Sequence, residues 1–102
     1  MEVSQTEPHS SWTYLSNHSH VLICIADDPS ARLRDLAERV GITERAVQMI
    51  VQDLEQAGVV EKRRTGRRNH YEIHPDHSLR HPVEAHRTVR ELLEMIRDQS
   101  DS

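Results

Sequence analysis

A chain of 102 residues has room for one domain, because folding at this length hides only about 60 to 70% of the surface the unfolded chain exposes. Hydrophobic residues make up 35%, with no Phe, one Trp and two Tyr, so the core is expected to be modest and aliphatic. The formal net charge of -4 excludes a uniformly cationic surface, but its distribution matters more: between Ser30 and Ile73 nine basic residues face seven acidic ones, and five of the nine lie between Lys62 and Arg68.

In chain order, residues 1–11 are polar and interrupted by Pro8, and are expected to form a disordered tail to which Trp12, Tyr14 and Leu15 offer an anchor. Ser16 or Asn17 can cap a first helix through to Ala26, whose apolar second half, Val21-Leu22-Ile23-Cys24-Ile25-Ala26, reads as a buried central element. Asp27-Asp28-Pro29 ends it, since the residue before proline disfavours the helical region. The run is too short to span a bilayer, which needs about 20 apolar residues. The start, Met-Glu-Val-Ser-Gln-Thr-Glu, lacks a signal peptide's basic opening and cleavage pattern, so a cytoplasmic protein without membrane attachment is expected. Cys24 is the sole cysteine, so no intrachain disulfide can form; in apolar surroundings its thiol is expected to be inert rather than a redox switch.

A second helix is predicted over 33–40, with Leu33, Leu36, Ala37 and Val40 on one face, although no Ser, Thr, Asp or Asn stands just before Leu33 to cap it. Gly41 supplies a position able to take positive φ, and Thr43 caps a third helix through to Ala57, with Val47, Ile50, Val51 and Leu54 inward and Gly58 as its stop. The period then changes to two. Val60, Lys62 and Arg64 alternate with Glu61, Arg63 and Thr65, the chain turns at Thr65-Gly66-Arg67-Arg68, and Tyr71 and Ile73 share a face of the return strand. Pro75 closes this basic-tipped hairpin. A polar connector containing Pro82 leads to a last helix predicted over 83–97, striped by Ala85, Val89, Leu92, Leu93 and Ile96, and residues 98–102 read as a second disordered tail.

Helix, helix, Gly-containing turn, helix and basic hairpin is the order that carries chemistry. In a helix-turn-helix the first helix crosses the DNA backbone while the second lays side chains against base edges in the major groove. A hairpin that follows can reach phosphates or the minor groove, and the planar fork of arginine suits both. The stretches Leu36-Ala37-Glu38-Arg39-Val40-Gly41-Ile42-Thr43, Val47 to Leu54, Glu55-Gln56-Ala57-Gly58-Val59-Val60 and Gly66-Arg67-Arg68-Asn69-His70-Tyr71 resemble the winged-helix domain of bacterial and archaeal regulators of the MarR and ArsR types. The fold implied is mainly α with a small β-hairpin: a winged helix-turn-helix over residues 12–81 with an added C-terminal helix over 82–97.

That resemblance implies a sequence-specific regulator of transcription that binds double-stranded DNA, acts as a homodimeric repressor, and is not an enzyme. Its reading residues would be Thr43, Glu44, Arg45, Gln48, Met49 and Gln52 on the outer face of the third helix, led by Arg45 for guanine and Gln48 for adenine. Arg63, Arg64, Arg67 and Arg68 would hold phosphates, assisted by Asn69. Ala85, Val89, Leu92, Leu93 and Ile96 are assigned to pairing with a second copy, because similar small regulators dimerise through terminal helices. Met49 fits less easily where a polar residue is expected, and with the acidic termini it keeps open a protein- or RNA-interaction module.

A metal-responsive sensor is the weaker alternative, resting on His74, His77, His81 and His86. Their spacing crosses a Pro-containing connector and no Cys pair accompanies them, so no metal or other cofactor is expected. No Ser/His/Asp arrangement or phosphate-cradling glycine loop points to catalysis. Nor is a small-molecule substrate evident, a chain this short having no obvious pocket for one.

Overall fold

The computed structural model describes residues 12–97; the two tails expected at 1–11 and 98–102 lie outside the described residues. Three helices come first, α1 (Asn17–Asp27), α2 (Leu33–Val40) and α3 (Glu44–Gln56), followed by the strands β1 (Val60–Thr65) and β2 (Arg68–Ile73) and a last helix, α4 (Val89–Arg97). Among the described residues no helix is long and apolar enough to cross a membrane.

Each boundary has a local cause. The Ser16 side chain accepts from the Ser19 N–H at 3.3 Å and opens α1, and the Asp28 N–H closes it on the Cys24 carbonyl. The cap absent at α2 is partly replaced from inside the helix: Asp35 reaches back to accept from the Arg32 N–H at 3.2 Å. Gly41 then turns the chain at φ 85°, donating to the Ala37 carbonyl at 2.8 Å. Thr43 Oγ1 accepts from the Ala46 N–H at 3.0 Å, which sets the start of α3.

The core is the inward face of these helices closed by the base of the hairpin. Val21, Ile25, Leu36 and Val47 are its most enclosed side chains, and Ile50, Val51, Leu54, Val59, Val60 and Tyr71 join the same cluster. Each buried aliphatic side chain of this kind stabilises the fold by about 1.5–3 kcal/mol relative to exposure. β1 and β2 pair antiparallel from Val60↔Ile73 through Lys62↔Tyr71 to Thr65↔Arg68, and Gly66 makes the turn at φ 62°.

The C-terminal region departs from expectation. The helix predicted over 83–97 begins only at Val89, and the preceding residues form turns closed by an isolated bridge between Ser78 and Thr88. Their backbone groups find partners outside any helix: Leu79 N–H donates to Arg87 O at 2.8 Å, Val89 N–H to His77 O at 2.9 Å and Arg90 N–H to Pro75 O at 2.9 Å. Thr88 and Glu91 mark the true start reciprocally, Thr88 Oγ1 accepting from the Glu91 N–H at 3.2 Å and Glu91 Oε1 from the Thr88 N–H at 3.0 Å.

The stripe expected to pair with a second copy is divided in the fold. Val89 and Leu93 belong to the protein's own core, Leu92 is buried, Ile96 is half-buried, and Ala85 lies exposed in the turn region. α4 packs on α1, and Arg97 Nε donates to Asp27 Oδ1 at 2.9 Å, fastening the end of one helix to the end of the other.

Candidate nucleic-acid interface

Seating α3 with Val47, Ile50, Val51 and Leu54 inward turns its other face to solvent. Glu44, Arg45, Gln48, Met49 and Gln52, with the capping Thr43, are all exposed, so every residue expected to read bases lies on one open side of the rod. Met49 is 59% exposed, an apolar side chain displayed in the middle of that face. Chemically the face offers a guanidinium, two amides, a hydroxyl, a carboxylate and a thioether. Such a set can donate to, accept from and touch base edges.

The wing residues are less alike than their sequence suggests. Arg63 is held within the hairpin, with Nε donating to Glu72 Oε1 at 3.0 Å and a second nitrogen 3.6 Å from Glu61. Arg68 is exposed but turns back on the helical body, one of its guanidinium nitrogens donating to the Ser30 carbonyl at 2.7 Å. Asn69 is half-buried and its side chain hydrogen-bonds Tyr71, whose hydroxyl is pushed above its ordinary pKa by burial, partly opposed by that bond and reinforced by the Glu55 charge. Arg64 and Arg67 remain exposed at the tip, where Arg64 Nε makes a marginal 3.5 Å hydrogen bond to the Gly66 carbonyl within the turn. Of the four arginines expected to hold phosphates, Arg64 and Arg67 are thus free of carboxylate partners among the described residues, while Arg63 is engaged with Glu72 and Arg68 with the Ser30 carbonyl.

A further exposed cation lies close by in the chain. Arg32 is exposed at the head of α2, two residues beyond the carbonyl that holds Arg68, and extends the basic surface toward the helix pair. The sequence signal for it is the Arg-x-Arg at positions 32 and 34.

The histidines do not converge. His74 Nε2 lies 3.2 Å from Glu61 Oε1, His81 Nδ1 accepts from the Val83 N–H at 3.1 Å, the His77 ring stands beside Gly58, and His86 is exposed. Among the described residues no group of three or more His, Cys, Asp or Glu could hold a metal ion. Cys24 is buried, and desolvation pushes its thiol pKa up against the lowering influence of Arg39, which disfavours the reactive thiolate.

A groove of about 550 Å³ overturns the expectation that so short a chain has no pocket. It runs between the start of α1, the end of α3 and the 78–92 region, over a floor that includes Leu22, Leu54, Val59 and Val89, with His18 and Asp53 paired at 2.9 Å on its rim.

Comparison with known proteins places this geometry. Residues 16–61 match the profile of a family described as winged helix-turn-helix DNA-binding. Among solved structures, the PcaV transcriptional regulator from Streptomyces coelicolor, crystallised with its natural ligand, is 24% identical over 88% of this chain and 64% of its own, with a TM-score of 0.54. The zinc-responsive MarR family member ZitR from Lactococcus lactis is 20% identical over 67% of this chain and 49% of its own, with a TM-score of 0.50. The chain thus spans less than two-thirds of the length of either, and the likeness is one of fold. No curated protein matches the chain.

Proposed function

We propose, from the match of residues 16–61 to the winged helix-turn-helix DNA-binding profile, that the protein is a sequence-specific transcriptional regulator, acting in the cytoplasm as a homodimeric repressor. The observation that carries this reading is the open face of α3, on which Arg45, Gln48 and Gln52 stand exposed beside a wing whose tip offers Arg64 and Arg67. A helix so presented enters the major groove. Arg45 then pairs with guanine and Gln48 with adenine, each good bidentate pair giving about 1–3 kcal/mol of discrimination. Arg64 and Arg67 neutralise flanking phosphates and supply affinity without sequence preference.

Dimerisation is supported by where apolar surface remains. Of the large hydrophobic side chains left exposed among the described residues, Trp12, Tyr14, Val83 and Met95 lie outside residues 16–61 and only Met49 lies within. With the stripe of α4 turned into the core, the contact with a second copy is assigned to Met95, Ile96 and the aromatic pair Trp12–Tyr14, whose rings meet edge-on at 4.9 Å. Two recognition helices held about 34–36 Å apart read a palindrome with half-sites roughly 10 bp apart.

In vitro selection from random duplexes, repeated with two variants, tests the reading. Gln48→Ala is expected to lose preference at one position of each half-site, and Arg67→Ala to weaken all duplexes alike. Equal, sequence-blind losses from both would remove the assignment of α3 as the reader. The exposed Met49 favours one second reading, a protein-docking face on α3, which the same selection would reveal by recovering no preferred duplex.

A further inference from the structure

We infer that Arg68 is a positioning residue: it latches the wing to the loop between α1 and α2 and so fixes the angle at which Arg64 and Arg67 meet DNA. This deepens the DNA-binding reading above and rests on it. The hairpin joins the helical body covalently only through residues 57–59 and the chain beyond β2, and a two-stranded ribbon attached at its base alone has little to resist pivoting.

The outer edge of β2 supplies the resistance. Opposite the edge that pairs with β1, the Tyr71 N–H donates to the Pro29 carbonyl at 2.9 Å. One residue along that loop the Arg68 guanidinium donates to the Ser30 carbonyl at 2.7 Å, and the Ser30 hydroxyl lies 3.1 Å from His70 Nδ1. Residues 29–30 thus act as a fragment of third strand bonded to three of the four positions 68–71. Of these bonds the one from Arg68 is the shortest and lies nearest the tip, where it has the greatest leverage over the wing's angle.

A charged donor on a neutral carbonyl is among the stronger hydrogen bonds a surface allows, and it directs the guanidinium toward the protein rather than toward a phosphate. The two roles differ in a measurable way. A cation neutralising a phosphate contributes about 0.9 to the slope of log K against log salt, whereas a cation that only holds the wing contributes to affinity and leaves that slope unchanged.

The test uses the full chain and a duplex recovered by selection, with two readouts. In the free protein, Arg68→Ala is expected to speed hydrogen exchange at the Tyr71 amide about tenfold or more while the amides of α3 keep their protection. On DNA, the same variant is expected to bind about tenfold more weakly with the wild-type salt slope, because a released wing still brings Arg64 and Arg67 to the phosphates in the complex but must be ordered on binding, whereas Arg67→Ala loses about 0.9 of slope. Unchanged exchange at Tyr71, or a slope that falls by about one in Arg68→Ala, overturns the latch. Failure of the wild type to bind any duplex overturns the DNA-binding reading and this inference with it, whereas the exchange readout can fail while DNA binding stands.

Discussion

At the scale of single residues, two backbone positions set the turn before α3 and its start. Gly41 sits at φ 85° between α2 and α3, and nothing lies within 4 Å of where a Cβ would project. The cost of any other residue there is conformational rather than steric: an L side chain at positive φ costs about 1–2 kcal/mol. Gly41→Ala is therefore expected to lower the midpoint of thermal unfolding by roughly 4–15 °C in a domain of this size, and Gly41→Asn by less, as calorimetry can read. Thr43 is the second position, its side chain holding the first turn of α3 through the Ala46 N–H. Both were legible in the sequence because Gly and Thr act through their own backbone or the next turn. The roles of Arg63, Arg68 and Asn69 were not, since each is set by a partner 2 to 38 residues away that no local pattern identifies.

At the scale of elements, the contrast between α3 and α4 shows what periodicity can and cannot establish. In α3 the apolar spacing, cap and stop glycine agree, and the helix lies within a residue of its predicted bounds. In the C-terminal region an apolar stripe at helical spacing extended back to Ala85, yet the chain turns until Thr88 because backbone bonds joining Arg87, Val89 and Arg90 to Leu79, His77 and Pro75 compete with the helix. The pattern Thr88-Val89-Arg90-Glu91 was in the sequence as a start signal and outweighed the stripe.

The same pair gives a pH-dependent contribution to stability. Backbone bonding from Thr88 and the side-chain bond from Arg87 hold the Glu91 carboxyl below its ordinary pKa of 4.5. A carboxyl with a depressed folded-state pKa contributes stability that is present above that ordinary value and is lost as pH falls through the folded one. Unfolding followed by circular dichroism is expected to show a shallower acid decline below about pH 4.5 in Glu91→Gln than in the wild type, and Thr88→Ala is expected to cost about 1 kcal/mol at neutral pH. An acid decline as steep in Glu91→Gln as in the wild type would remove Glu91 from this role.

At the scale of the molecule, length and composition indicated one small aliphatic domain, and the described residues form one core from α1 to α4. They did not reveal that α4 turns its stripe inward or that the 78–92 region borders a groove, because both depend on where a connector folds back. The correction separates stability from assembly. Leu93→Ala is expected to destabilise the fold by about 2–5 kcal/mol by emptying a core position, whereas Met95→Glu is expected to shift the sedimenting species toward monomer with little change in unfolding. Loss of association from Leu93→Ala without loss of stability would return the stripe to the dimer contact.

In the proposed function α3 and the wing tip meet duplex DNA together. Amide chemical-shift mapping during titration with a selected duplex tests this most directly. Resonances of Arg45, Gln48, Gln52, Arg64 and Arg67 are expected to move while those of the buried faces of α1 and α4 stay in place. No movement at α3, or movement confined to α4 and the 78–92 region, would contradict it.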